Sequence, residues 1–235
     1  MSAFHLATAS VLGREHARLL RNNQDGVAVR VEGGVAVAVV TDGCGSGGSS
    51  EVGARLGARF LAQRVPGLAR EHGVGPQLAA HATDALVGWM GQVVAPLDVD
   101  GTQLPALVNE QWLFTFLCAV MDGQSALIFG VGDGSWSADG VGRVLDPGEK
   151  NAPDYAAYRL VGLPGSAPVV HFFGEALQLA IATDGLARDE GDCGPGALGA
   201  DGLVWSNPAA LQRKLNVRSR ELHDDTTVAL LKRSA

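Results

Sequence analysis

Four apolar, β-prone runs in this chain begin or end beside a carboxylate, and no other feature constrains the fold as strongly. Asp25-Gly26 precedes VAVRV, Asp42 ends VAVAVVT, Asp184 ends LQLAIAT, and Asp224-Asp225 precede TTVALL; Asp133, ending ALIFGVG, makes a fifth. Carboxylates at strand ends can converge at one edge of a sheet core, where crowded anions repel one another. Bound divalent cations relieve that repulsion, and an oxygen-only set suits Mg²⁺ or Mn²⁺ rather than zinc.

The segments around these acids change period in a readable order. Residues 2–10, 26–32 and 34–41 are short runs rich in Val, Ala and Thr, and read as strands. After the glycine loop, Val52, Leu56 and Phe60 fall four apart, with Ser49 or Ser50 as N-cap and Glu51 in the first turn, predicting a helix to about Gln63. A second helix is predicted over 76–94, with Leu78, Ala82, Leu86, Met90 and Val93 or Val94 on one face. From Trp112 onward the pattern returns to strands, first a hairpin around Asp122-Gly123, then short strands at 142–145, 158–162, 168–173 and 177–183. A short helix near 207–215 and a final strand, TTVALLK, complete the chain. Strands, helices and strands again predict a single α+β layered domain over residues 1–235.

The stretch TDGCGSGG admits three readings: a turn, a nucleotide loop and a metal site. Eight Asp-Gly dipeptides occur, so most must be ordinary turns, and Asp122, Asp139 and Asp201 are read that way. Asp42-Gly43 instead leads into a helix, and Asp184-Gly185 into a polar stretch, so neither returns as a hairpin. Gly43 to Gly48 matches GxGxxG, but a dinucleotide fold needs a second parallel strand with an acid about 20 residues on. Here VPGLAREHGVGP and a second helix follow, and GxxxxGK[ST] is absent.

Composition narrows the classes further. A formal charge of −7 and a pI near 5.3 argue against nucleic-acid binding. Three cysteines without CxxC spacing argue against a disulfide framework or structural zinc and for a reducing compartment. The start lacks a secretory pattern, and no apolar run approaches the roughly 18 to 20 residues that span a bilayer. The expectation is a soluble, cytoplasmic protein without a membrane partner.

Asn23-Gln24-Asp25, VVTDGCGSG at 39–47, FGVGDGS at 129–135, ATDGL at 182–186 and DDTTV at 224–228 follow one another as in the metal-dependent protein phosphatases, the protein phosphatase 2C family. Gly13-x-x-His16 upstream resembles the bacterial branch, and the resemblance runs from about residue 8 to 231. It implies a four-layer α-β-β-α sandwich, two antiparallel sheets flanked by helices, with a binuclear Mn²⁺ or Mg²⁺ site at one end. By the same resemblance Asp42 bridges the two metals and the Gly43 carbonyl binds one, Asp25 reaching that metal directly or through water. Asp184 and Asp224 hold the other, and Asp133 with Asp184 serves a third, weaker ion. Asp225 stands where the family commonly has Asn and is read as supporting the ligands. The implied reaction is hydrolysis of phosphoserine or phosphothreonine by metal-activated water, on a phosphoprotein made by a cognate Ser/Thr kinase.

The chain departs from the family pattern at three positions. Gln24 replaces a common Glu, Leu20 replaces the phosphate-binding Arg, and Cys44 stands where some members carry a His proposed as general acid. Arg14, Arg18 and Arg21 are the nearest cations to position 20. His16 is a candidate catalytic residue, as phosphate contact or proton donor, with a structural role as the other reading. His223 reads as an exposed turn residue, Cys44 as a small loop residue, and 149–160 as the family's variable flap. These departures keep open a catalytically inactive relative that binds a phosphoprotein.

Overall fold

The computed structural model describes residues 4–98, 101–146, 155–186, 195–207 and 209–234. Two five-stranded antiparallel sheets form its centre. One contains β1 (Phe4–Val11), β6 (Gly134–Ala138), β7 (Val141–Leu145), β9 (Gln178–Ala182) and β10 (Thr226–Arg233), in the order β1-β10-β9-β6-β7. The other contains β2 (Gly26–Glu32), β3 (Val35–Gly43), β4 (Phe114–Met121), β5 (Ala126–Val131) and β8 (Val169–Gly174), in that order across the sheet.

Strand β3 explains the layering. Successive side chains of a strand point to opposite faces, so Val35, Val37 and Val39 pack toward helices while Ala36, Ala38 and Val40 pack toward the other sheet. Both faces are buried, so β3 is continuously apolar rather than alternating. The middle core joins β3 to Leu117, Ile128, Trp136, Ile181 and Leu231 of the two sheets. A second core sits under α2 (Ser50–His72) and α3 (Gln77–Val94), through Leu61, Val65, Leu78, Leu86 and Met90. A third covers the outer face of the first sheet, where Leu211 and Leu215 of the helix Ala209–Arg218 meet Val11, Val228 and Leu230. Helices, sheet, sheet and helices make the four-layer α-β-β-α sandwich.

Several local expectations change. Helix α2 continues past Gln63 to His72 with Pro66 inside it. Val65, Leu68 and Ala69 keep its face buried beyond that point, and this packing outweighs the hydrogen bond a helical proline removes. The buried face is also different: Val52 and Leu56 are 40% and 38% exposed, while Gly53, Ala54, Gly57 and Ala58 are buried. A Cβ on Gly53 would lie 2.1 Å from the Gln111 carbonyl oxygen, so only a residue without a side chain fits there. Ser49 occupies the N-cap position but its side chain makes no capping bond.

The strand expected at 158–162 is instead a 3₁₀ helix, Ala156–Val161, whose buried Ala156 and Ala157 and ion-paired Arg159 pack it against α3. A short first helix, α1 (Arg14–Arg18), and a π-helical turn at Val108–Trp112 were not expected. Asp122 and Asp139 stand in the hairpin turns as expected, Asp139 with φ +48°, whereas Asp201 caps the helix Gly202–Ser206 by accepting from the Leu203 amide at 2.8 Å. Cys193 and residues 149–154 of the expected flap lie outside the described residues. No helix among the described residues is long and apolar enough to cross a membrane.

Candidate metal centre

Antiparallel pairing brings the acids to one end of the sandwich. Asp42 lies at the C-terminal end of β3, opposite Thr115 of β4. Asp133 stands between β5 and β6 in a turn that Gly132 and Gly134 make with φ of +97° and +122°, backbone angles open to glycine. Asp184 follows β9, and Asp224 precedes its antiparallel neighbour β10. These strand ends coincide, and Asp42, Gly43, Asp133, Asp184 and Asp224 line a single cavity of about 430 Å³. Among the described residues lining it, none carries a cationic side chain.

Asp25 stands beside this cavity rather than among its lining residues. It is 3% exposed, and its Oδ2 accepts a 2.8 Å hydrogen bond from the Thr183 hydroxyl, while Oδ1 is buried without a partner. The Thr183 oxygen in turn accepts from the Thr227 amide at 2.9 Å, so one hydroxyl ties β9, β10 and Asp25 together. Burial, followed by the charge of Asp225, pushes the Asp25 carboxyl well above the usual range. Burial likewise raises Asp42, and Asp25, Asp184, Asp133 and Asp224 add to the shift in that order.

The glycine loop is braced from outside. The Cys44 amide donates to the Leu113 carbonyl at 2.9 Å. The Gly48 amide donates to Glu110 Oε2 at 2.9 Å, and the Ser49 amide to the Glu110 carbonyl at 3.0 Å. Arg21 donates to the Gly45 carbonyl, and Gln24 Nε2 to the Gly47 carbonyl at 3.3 Å. Leu20 turns outward with φ +56° and 94% exposure, while Arg18 pairs with Glu15. Cys44 is half-buried. Burial pushes its thiol up, but hydrogen bonds from Ser46 and Tyr155 bring it below its ordinary value.

His16 sits beside Asp224 and Asp225 and is not among the cavity-lining residues. Its Nδ1 is 2.8 Å from Asp225 Oδ2, which also accepts from the Gln24 amide at 2.6 Å, while Asp225 Oδ1 accepts from the Gly13 amide at 2.8 Å. A Cβ on Gly13 would lie 2.2 Å from the Asp224 carbonyl carbon, which accounts for glycine in the GxxH pattern. Ligand atoms of His16, Asp224 and Asp225 lie within 4.8 Å of one another. The Asp225 oxygens already satisfy three N–H groups, an arrangement suited to holding the chain rather than a cation. His223 is 52% exposed, as expected for a turn.

A family profile described as Protein phosphatase 2C matches residues 12–227. This chain belongs to the protein phosphatase 2C family. Solved structures share its fold at low identity. One is a bacterial serine phosphatase, 13% identical with a TM-score of 0.60, covering 99% of each chain. Another is the catalytic domain of the serine/threonine protein phosphatase PstP in complex with two manganese ions, 14% identical with a TM-score of 0.62, covering 100% of each chain. A third is PppA, a regulatory component of the type VI secretion system in Pseudomonas aeruginosa, 17% identical with a TM-score of 0.59, covering 99% of each chain. A search of curated proteins finds no match.

The donor set of this protein phosphatase 2C domain fits divalent cations. Asp42, Asp133, Asp184 and Asp224 converge on a cavity whose described lining residues include no cation, burial and neighbouring carboxylates raise Asp42 and, beside the cavity, Asp25, and Asp25 Oδ1 and Gln24 Oε1 are buried without partners. Oxygen-only ligation suits Mn²⁺ or Mg²⁺. The bracing residues Glu110 and Thr183, and the cavity residues Asn109 and Tyr155, escaped the sequence reading. Tyr155 falls in the expected flap and Thr183 inside the ATDGL motif, of which only the acid was read; Glu110 and Asn109 carry no local signal, because the glycine loop they approach is distant in sequence.

Proposed function

We propose that this chain is a metal-dependent serine/threonine protein phosphatase acting on phosphoproteins made by a cognate kinase. The observation that carries the reading is the convergence of Asp42, Gly43, Asp133, Asp184 and Asp224 on one cavity. Asp42 and Gly43 would hold one metal with help from Asp25; Asp42, Asp184 and Asp224 would hold the other; Asp133 with Asp184 would serve a third, weaker ion. Such a pair, when bound, supplies a nucleophilic water near neutral pH and neutralises phosphoryl oxygens. The chain's own part is positional. The Asp225 clamp holds 13–25 against 224–225, Glu110 and Arg21 hold the glycine loop, and His16 holds Asp225.

Hydrolysis of p-nitrophenyl phosphate and a phosphothreonine peptide in Mn²⁺, Mg²⁺ or EDTA tests this reading, with Asp42→Ala and Asp184→Ala as controls. Metal-dependent turnover lost in both variants is expected. The second reading, a phosphoprotein-binding relative without turnover, is favoured by two observations: no described lining residue is cationic, and Leu20 is turned to solvent. A folded, Mn²⁺-saturated protein with no turnover would select it.

A further inference from the structure

We propose that Arg21 is the cation that binds the substrate's phosphoryl group, held beside the cavity by its backbone amide on His16 and its guanidinium on Gly45. The proposal rests on the reading of this cavity as a phosphate-ester site. A phosphomonoester carries a charge of about −1.5 to −2 at pH 7. The described residues lining the cavity include four carboxylates, Asp42, Asp133, Asp184 and Asp224, and no cation. Together with Asp25 beside them, these carboxylates at least match the charge of a divalent pair, which leaves no surplus positive charge for the incoming anion.

The end of α1 fixes where Arg21 stands. The Leu20 amide donates to the Ala17 carbonyl at 3.3 Å and the Arg21 amide to the His16 carbonyl at 2.9 Å. In this paired closure the first residue past the helix takes a left-handed conformation, most often as glycine. Here that residue is Leu20, with φ +56°, an angle uncommon for a large side chain. The turn sends Leu20 to solvent and leaves Arg21 beside the glycine loop, where its Nη1 donates to the Gly45 carbonyl. His16 is itself bonded to Asp225, so the whole turn is fastened to the strand end next to Asp224.

Gly45 is an exposed residue of the cavity lining, so a guanidinium on its carbonyl stands at the cavity's mouth. Neither neighbouring arginine is placed this way. Arg18 is 68% exposed and pairs with Glu15 at 2.8 Å, and Arg14 is exposed on the first turn of α1. A guanidinium carries five N–H donors in a planar fork. One Arg21 nitrogen serves the Gly45 carbonyl, and the rest of the fork matches the spacing of phosphoryl oxygens. The bond to Gly45 also restrains the side chain before substrate arrives, which lowers the ordering cost of binding.

The test is calorimetric titration of inorganic phosphate into the Mn²⁺-loaded full chain, repeated for Arg21→Gln, Arg21→Lys and Leu20→Arg. Mn²⁺ affinity, measured on the same proteins, reports the glycine loop separately. Arg21→Gln is expected to weaken phosphate binding by about ten- to a hundredfold while Mn²⁺ affinity is retained. Arg21→Lys, which keeps the charge, binds phosphate more tightly than Arg21→Gln. Leu20→Arg, a cation on the residue turned to solvent, leaves phosphate affinity close to wild type. Wild type that holds Mn²⁺ but no phosphate overturns the proposal, as does an Arg21→Gln variant with unchanged phosphate affinity. Parallel loss of Mn²⁺ and phosphate in Arg21→Gln overturns it too, because Arg21 then acts only as a brace, and so does a gain in Leu20→Arg as large as the Arg21→Gln loss. Phosphate binding that depends on Arg21, in a protein that turns over no phosphate ester, overturns the phosphatase reading and leaves this assignment standing.

Discussion

The imidazole of His16 donates through Nδ1 to Asp225 at 2.8 Å, joining residues 209 positions apart. Asp225 thereby closes the N-terminal segment that carries Asp25 onto the strand that follows Asp224. A buried carboxylate with three N–H donors is costly to remove, because each donor loses its partner. Asp225→Ala is expected to destabilise the protein by about 3 kcal/mol or more, and His16→Ala by about 2 kcal/mol, in urea unfolding. If His16 acts by holding Asp225, His16→Asn, whose amide nitrogen can mimic Nδ1, retains metal-dependent turnover. Loss of turnover in a fully stable His16→Asn would instead assign the ring a direct part in the reaction.

Asp42 carries a definite sign of pH dependence. Its folded pKa is raised above the unfolded value by burial and by four neighbouring carboxylates. Its contribution is therefore favourable at acid pH, below the unfolded value, and is lost as pH rises through the folded value. In EDTA, Asp42→Asn is expected to be more stable than wild type at pH 8 by about 1 kcal/mol or more, and nearly equal to it at pH 4. Thermal unfolding at the two pH values checks this. Mn²⁺ should raise the melting temperature of wild type at pH 8 and do so much less for Asp42→Asn.

Glu110 holds the glycine loop through the Gly48 amide and supplies the carbonyl that Ser49 meets. Its side chain does not line the cavity. Glu110→Ala removes one brace without removing a ligand. Mn²⁺ affinity is expected to fall by about tenfold, with global stability little changed. Titration calorimetry and thermal unfolding together separate these effects.

Two helical glycines should respond with opposite signs. At Gly53 of α2 a Cβ would stand 2.1 Å from the Gln111 carbonyl oxygen, so Gly53→Ala forces the helix off the π-helical turn and costs about 1–3 kcal/mol. At Gly88 of α3 a Cβ would meet nothing within 4 Å, so Gly88→Ala stabilises by about 0.5–1 kcal/mol through backbone entropy. Denaturant midpoints of the two variants provide the comparison.

Strand ends, hairpins and the apolar face of α3 were legible because they depend on local periodicity and on turn chemistry. Leu78, Ala82, Leu86 and Met90 are all buried, as their spacing predicts. The strand-end carboxylates were legible for a related reason, since each directly follows or precedes an apolar run, whereas their meeting at one end depends on how the two sheets pair. Helix α2 shows the limit. Its large residues Val52 and Leu56 form a regular stripe, yet the sheet and the π-helical turn approach so closely that only Gly53, Ala54, Gly57 and Ala58 fit beneath it. Residues 158–162 read as a strand but found no sheet edge, and instead close against α3.

The sequence by itself determined that acids would stand at the ends of buried strands and that two long helices would cover them. Only the tertiary structure decided which atoms brace that site: His16 and Gly13 on Asp225, Thr183 on Asp25, Glu110 on the glycine loop, and Tyr155 on Cys44. The physical reason is range. Periodicity is set by each residue's own backbone and near neighbours, whereas a buried hydrogen bond depends on which distant segment the packing of two sheets brings within about 3 Å.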